Sequence, residues 1–219
     1  MNTQLRAFVV LLGAALVVIT YTFPTWQPYL SLLPGRGETS ILGLRADLAE
    51  QVVMQVSPEQ VSGLRELAEE DVELAQEIAL AELRADQAVE EEIPAELGRL
   101  LPSLSDVLTL DTETALYGPA LHANGVLTIY ELADGRHILR FDDLNVTNLP
   151  GLSLYLSGNP RPSNEEELQQ NGFYHRLRPM LGNAGNHNYE VAAELDLFSY
   201  NSVVIYSEPL GVVVGYAPL

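Results

Sequence analysis

Cysteine and lysine are both missing from this 219-residue chain. Without a thiol there is no disulfide, no thiolate metal site, no thiol redox couple and no cysteine nucleophile. Exported bacterial proteins often manage without disulfides, so the absence does not fix a compartment. Arginine supplies all 11 basic residues against 30 acidic ones, for a net charge of -19. Residues 1–35 carry +1, residues 36–113 carry -14 and residues 114–219 carry -6. A chain this acidic repels a phosphate backbone, so nucleic acid is excluded as a partner. A divalent cation or a basic partner remains compatible, and a solvated acidic stalk is the simplest reading of the middle. Histidine is sparse as well. His122, His137, His175 and His187 form no helical pair at metal-ligand spacing, and Asp142, Asp143 and Asp196 make no EF-type calcium loop. No Gly-x-Ser-x-Gly signature surrounds any serine. Neither a metal, nor a cofactor, nor a catalytic constellation is expected.

One long apolar run is present. Residues 7–23 (AFVVLLGAALVVITYTF) hold no charge, and none follows until Arg36. Seventeen helical residues would extend about 25 Å, close to the hydrocarbon thickness of a bilayer. Tyr21, Phe23, Trp26 and Tyr29 gather at the far end as an interfacial belt, and Pro24 and Pro28 end the helix. The small cluster Gly13-Ala14-Ala15 lies inside the run, which favours a retained signal anchor over a cleaved signal peptide. A buried core helix fits less well, because nothing nearby is amphipathic enough to enclose one. With Arg6 on the inner side, the bulk of the chain is expected outside the cytoplasm, on a single-pass anchor in the cell membrane.

Residues 40–85 read as short amphipathic helices. Ile41, Leu44, Leu48, Val52 and Val56 recur at helical spacing. Ser57-Pro58-Glu59-Gln60 is a restart, with serine as N-cap, proline at the first helical position and glutamine reaching back. Asp71 caps a third segment carrying Leu74, Ile78 and Leu83. Residues 86–107 read as a linker with at most one helical turn around 95–101. This acidic neck is expected to act as a spacer, with a protein partner or self-association as its alternative role.

From about Thr112 the period changes to two. Val126–Leu132 alternates, Ala133-Asp134-Gly135 makes a tight turn, and Arg136–Phe141 returns as the second half of a hairpin. Further strands are expected near 152–156, 174–181, 188–192, 202–207 and 211–216. Such spacing without intervening helices argues for an antiparallel β-sandwich. The segment Leu181-Gly182-Asn183-Ala184-Gly185-Asn186 reads as a bend, since Gly and Asn tolerate positive φ. It could also form a backbone nest for an anion. Arg140 with Asp142 or Asp143 reads as a surface pair at a strand end.

Several blocks in order resemble a known family: Asp134-Gly135, Ile138-Leu139-Arg140-Phe141, Leu154-Tyr155-Leu156-Ser157, Gly182-Asn183-x-Gly185-Asn186-x-Asn188-Tyr189, Ser202-Val203-Val204-Ile205 and Gly215-Tyr216-Ala217. This pattern is similar to the DM-thirteen domain, over roughly residues 110–219. The resemblance implies an electron-transfer label, company with DOMON-type modules in animals, and occurrence in membrane-anchored or secreted bacterial proteins. It also implies a cysteine after the Val-Val-Ile-aromatic strand, where this chain has Ser207. A serine hydroxyl cannot cycle between thiol and oxidised states. The family's usual Asn-Gly-Pro-Asp-Leu turn is here Asn148-Leu149-Pro150-Gly151-Leu152.

The expected organisation is therefore a signal anchor (1–35), an acidic helical neck and linker (36–107) and a mainly β C-terminal domain (108–219). The expected function is a non-catalytic binding or accessory module. A redox component, or a structural cell-surface protein oligomerising through its neck, are the alternatives. Asn188, Tyr189 and Ser207 are the candidate binding residues. Gly182, Asn183, Gly185, Asp134 and Gly135 are the candidate turn residues.

Overall fold

The computed structural model describes residues 46–94 and 118–219. The expected anchor at 7–23 and the helical turn near 95–101 lie outside the described residues. No helix among the described residues is long and apolar enough to cross a membrane. Of the described residues, 50–94 and 118–219 belong to one compact unit.

Three helices open the described chain: α1 (Ala46–Gln55), α2 (Pro58–Glu70) and α3 (Val72–Ala81). Local chemistry starts α2 and α3. The Ser57 hydroxyl accepts from the Gln60 N–H at 3.2 Å, while the Ser57 N–H donates to Gln60 Oε1 at 3.0 Å, completing a capping box with Pro58 at the first helical position. Asp71 caps α3 by accepting from the Leu74 N–H at 2.9 Å. The apolar stripes bury Val61, Leu64 and Leu67 on α2 and Ala75, Ile78 and Ala79 on α3. Burying a residue such as Leu64 or Ile78 stabilises by about 1.5–3 kcal/mol relative to exposure, enough to hold helices too short to persist alone. Gly63 makes a close backbone contact: a Cβ there would strike the backbone of Pro119 and Ala120. Helix α2 thus seats on the short 3₁₀ turn Gly118–Ala120, and α3 packs against α2.

The rest of the chain is two mostly antiparallel four-stranded sheets. The first has the order β1-β6-β3-β2 and the second β5-β4-β7-β8. The strands are β1 (Ala88–Glu90), β2 (Ala123–Glu131), β3 (His137–Val146), β4 (Leu152–Ser157), β5 (Tyr174–Pro179), β6 (Ala184–Val191), β7 (Ser202–Ser207) and β8 (Val212–Pro218). The β2–β3 hairpin closes through Asp134-Gly135, with Gly135 at φ +85° and the Asp134 carboxylate accepting from the Arg136 N–H. Every residue of β4 and β7 is buried. One face carries Leu154, Leu156, Val203 and Ile205; the other carries Tyr155, Val204 and Tyr206, which pack with Tyr216 and with Leu168 of the one-turn helix α4 (Glu165–Leu168). The polar stretch between β4 and β5 therefore supplies Leu168 as a cover.

Two expectations need correction. The linker reading of 86–107 fails at 88–90, which form β1 and pair parallel to β6. Arg140 is not a surface residue: it is 4% exposed, and its guanidinium donates to Asp142 Oδ1, Asn188 Oδ1 and the Glu91 carbonyl.

Candidate functional site

The Gly/Asn motif lies at the start of β6, and its asparagines all turn toward residues 86–92. The segment 184–191 is strand rather than bend, although Gly185 does adopt φ +96°. The two glycines leave room for a second backbone. A Cβ on Gly182 would collide with the Gln87 carbonyl oxygen, and one on Gly185 with the Val89 carbonyl oxygen. Asn183 then brackets Gln87: its Oδ1 accepts from the Gln87 N–H at 2.7 Å and its N–H donates to the Gln87 carbonyl at 3.2 Å. Its Nδ2 donates to Asp86 Oδ1 at 2.8 Å. Asn186 donates to Glu90 Oε2 at 2.7 Å and accepts the Glu91 N–H on its carbonyl at 2.9 Å. The Asn186 Oδ1 also accepts from the N–H of Asp143, which sits at φ +50° in a bulge of β3. The Asn188 N–H donates to Glu91 Oε2 at 2.6 Å, and its Nδ2 donates to the Glu92 carbonyl at 3.1 Å.

Tyr189 points the other way, as alternation along β6 requires. Its ring is fully buried, edge-on to Phe141 at 5.8 Å. The hydroxyl accepts from the Leu181 N–H at 3.1 Å and lies 2.8 Å from His187 Nδ1. Burial pushes the Tyr189 phenol up to about 12, partly offset by the Leu181 hydrogen bond and the nearby Arg178 charge. Tyr189 thus ties the loop at Leu181 to the strand.

Ser207 belongs to the second sheet, so the candidate binding residues do not converge. It is buried opposite Leu152, and its hydroxyl donates to the Pro150 carbonyl at 2.7 Å. Two grooves are better formed. One of about 490 Å³ lies beside Arg84, Gln87, Asn148, Pro150, Met180 and Gly182. The other, of about 480 Å³, is lined by Ser57, Gln60, Pro119, His122 and Asn124. Neither Tyr189 nor Ser207 lines them.

His122 is the titratable centre of the second groove, and sequence reasoning passes it over because its partners are remote in the chain. Its Nδ1 lies 3.2 Å from Glu82 Oε1 and its Nε2 lies 3.2 Å from Asn145 Oδ1. Thr147 Oγ1 donates to the same Glu82 oxygen at 2.9 Å and accepts the His122 N–H at 2.9 Å. Both ring nitrogens face oxygen acceptors, which suits the imidazolium. Burial pulls the His122 pKa down, but the Glu82 hydrogen bond and charge, with Asn145 and Asp86, outweigh it and leave the pKa raised. The cluster joins the end of α3 to β2 and β3. No third ligating group completes a metal set: among the described residues no group of three or more His, Cys, Asp or Glu could hold an ion.

The second sheet carries an aromatic row. The Tyr155 ring lies 5.5 Å from Tyr206 and 6.5 Å from Tyr174, and its hydroxyl donates to Glu208 Oε1 at 3.0 Å. Arg176 pairs with that same carboxylate oxygen.

No curated protein and no solved structure matches the chain. The family model described as Electron transfer DM13 matches residues 119–219, which takes in the hairpin, the Gly/Asn motif and Ser207 but begins after β1. The C-terminal part of this chain, residues 119–219, is thus matched by the DM13 family model.

Proposed function

We propose that the chain is a membrane-anchored, extracytoplasmic protein whose DM13 domain, a two-layer β-sandwich, serves as a non-catalytic binding module. The observation that carries this reading is the edge of β6. Gly182, Asn183, Gly185, Asn186 and Asn188 are spent on receiving an extended segment from outside the family-matched residues. The position where the family's cysteine is expected supports it. Ser207 is buried and committed to the Pro150 carbonyl, with no free hydroxyl directed at a groove. The neck holds the module away from the bilayer.

The electron-transfer reading keeps one specific observation in its favour. Tyr174, Tyr155 and Tyr206 form a contact chain, and Tyr155 donates to a carboxylate that could take its proton on oxidation. Purifying the full-length chain decides between them. The expected product is colourless and metal-free, with no reversible reduction wave. A stoichiometric chromophore, or a reversible potential lost on replacing Tyr155 with Phe, overturns the binding reading in favour of redox. A protease applied to intact cells should cleave within 119–219; protection of that region would refute the outward orientation.

A further inference from the structure

The segment that fills the β6 edge is unlike the other strands. Residues 84–88 and Glu90 are exposed, and Val89 is only half-buried. By contrast, β4 and β7 are buried throughout. What holds the segment is therefore polar: backbone bonds to Asn183 and Asn186, and carboxylates on asparagine donors. Each such bond at an exposed position contributes little and opens readily. The pairing is also parallel, whereas every other described strand pair is antiparallel. It is an added strand, supplied from outside the residues that define the domain.

The chemistry of the edge selects what may lie there. Asp86 Oδ1 accepts from Asn183, Glu90 Oε2 from the Asn186 side chain and Glu91 Oε2 from the Asn188 N–H, while Arg140 Nη1 donates to the Glu91 carbonyl at 2.8 Å. An extended strand with acidic residues at the first, fifth and sixth positions satisfies every one of these donors. The two glycines meanwhile require its backbone to approach without intervening side chains.

We propose that this edge is an acceptor site for such an acidic strand and that its intermolecular occupant is the 86–92 segment of a second copy. Copies of the chain then associate by exchanging strands. This rests on the binding-module reading given above. The segment is the sequence whose fit to the edge is seen, and an exchanged strand remakes each bond it gave up, so association costs only the bringing together of copies. Immediately ahead of the segment, Glu82 bonds to His122 and Thr147, and Arg84 and Ala85 bond to Asn148, so α2 and α3 are exchanged together with it.

Because the chain has no cysteine, the test can use single introduced thiols. Ala88 and Ala184 are register partners in the parallel pair, and neither side chain takes part in the recognition bonds. A full-length Ala88→Cys chain is mixed with a full-length Ala184→Cys chain under mild oxidation. The mixed disulfide dimer should exceed either same-variant dimer at least fivefold, and adding Gly185→Val to the acceptor chain should abolish the excess. A statistical mixture overturns the proposal. Closure within an Ala88→Cys/Ala184→Cys double variant, without mixed dimers, overturns it too and leaves the edge a purely intramolecular contact. A second measurement needs no substitution. A fluorescent peptide spanning residues 84–93 should raise anisotropy saturably with the wild-type chain, and a scrambled peptide of the same composition should not. No rise, or an equal rise with the scrambled peptide, counts against strand recognition. A colourless protein that fails these tests loses strand exchange but not its non-redox assignment.

Discussion

At Tyr189 a single hydroxyl settles two polar groups, the Leu181 N–H and His187 Nδ1, at the edge of a fully buried ring. Removing it with Tyr189→Phe keeps the ring against Phe141 but strands the Leu181 donor, which costs about 1–3 kcal/mol. The thermal midpoint should fall by several degrees; an unchanged midpoint would show that water or another group replaces the hydroxyl. His122 makes a pH-dependent contribution. Its folded pKa lies above the ordinary value because Glu82 outweighs burial, so the folded state holds the proton more tightly than the unfolded chain does. The stabilisation is complete below the unfolded pKa, about 6.5, and disappears as pH rises through the higher folded value. Comparing thermal midpoints of the wild type and His122→Gln from about pH 5.5 to about pH 8.5 tests the sign. The wild-type advantage should shrink with rising pH, and an advantage that grew would mean that the neutral ring is the form the fold prefers.

Among the elements, those defined by neighbours in the chain are legible in the sequence alone. Ser57 and Gln60 lie three residues apart, as do Asp71 and Leu74, so the starts of α2 and α3 follow from capping. The Asp134-Gly135 hairpin follows from turn chemistry in the same way. Strand β1 is hidden because its cause is remote. Glu90-Glu91-Glu92 looks like a solvated acidic run until Asn186 and Asn188, nearly a hundred residues later, supply the donors. The motif's glycines point to backbone freedom, whereas their larger role is to admit another backbone. The His122 cluster is hidden for the same reason, since Glu82 and Thr147 meet it only after folding. The seat of α2 also depends on a remote partner. Gly63 touches Pro119 and Ala120 with no space for a methyl group. Gly63→Ala favours an isolated helix by about 1 kcal/mol, yet here overpacking should reverse the sign and destabilise by about 1–3 kcal/mol. Urea titration of both chains decides it, and a more stable variant would mean that the 118–120 turn can retreat from α2.

Taken whole, the molecule keeps acid beside acid. The segment 36–113 carries -14 and the remainder to the C-terminus a further -6, yet residues 50–90 pack within the same compact unit as the sheets. Ion pairs offset part of this repulsion, chiefly Arg140 with Asp142, Arg136 with Asp134 and Glu190, and Arg176 with Glu208. Apart from buried Arg140, these side chains are substantially exposed, and pairs of that kind contribute about 0–1 kcal/mol each. The two terms respond to salt in opposite directions. Screening weakens the pairs, but it also weakens the long-range repulsion among many unpaired carboxylates, including those that line the strap at 86–92. Raising ionic strength from about 0.01 M to about 0.15 M shortens the Debye length from about 30 Å to about 8 Å. That removes the distant repulsion while leaving much of each contact pair intact. Stability should therefore rise with added sodium chloride over this range, read as a higher thermal midpoint. Hydrogen exchange should slow most at the amides of Glu91 and Asn188, where carboxylates crowd the β6 edge. A midpoint that falls with salt would show that the paired arginines, rather than the net charge, govern how the neck is held to the domain.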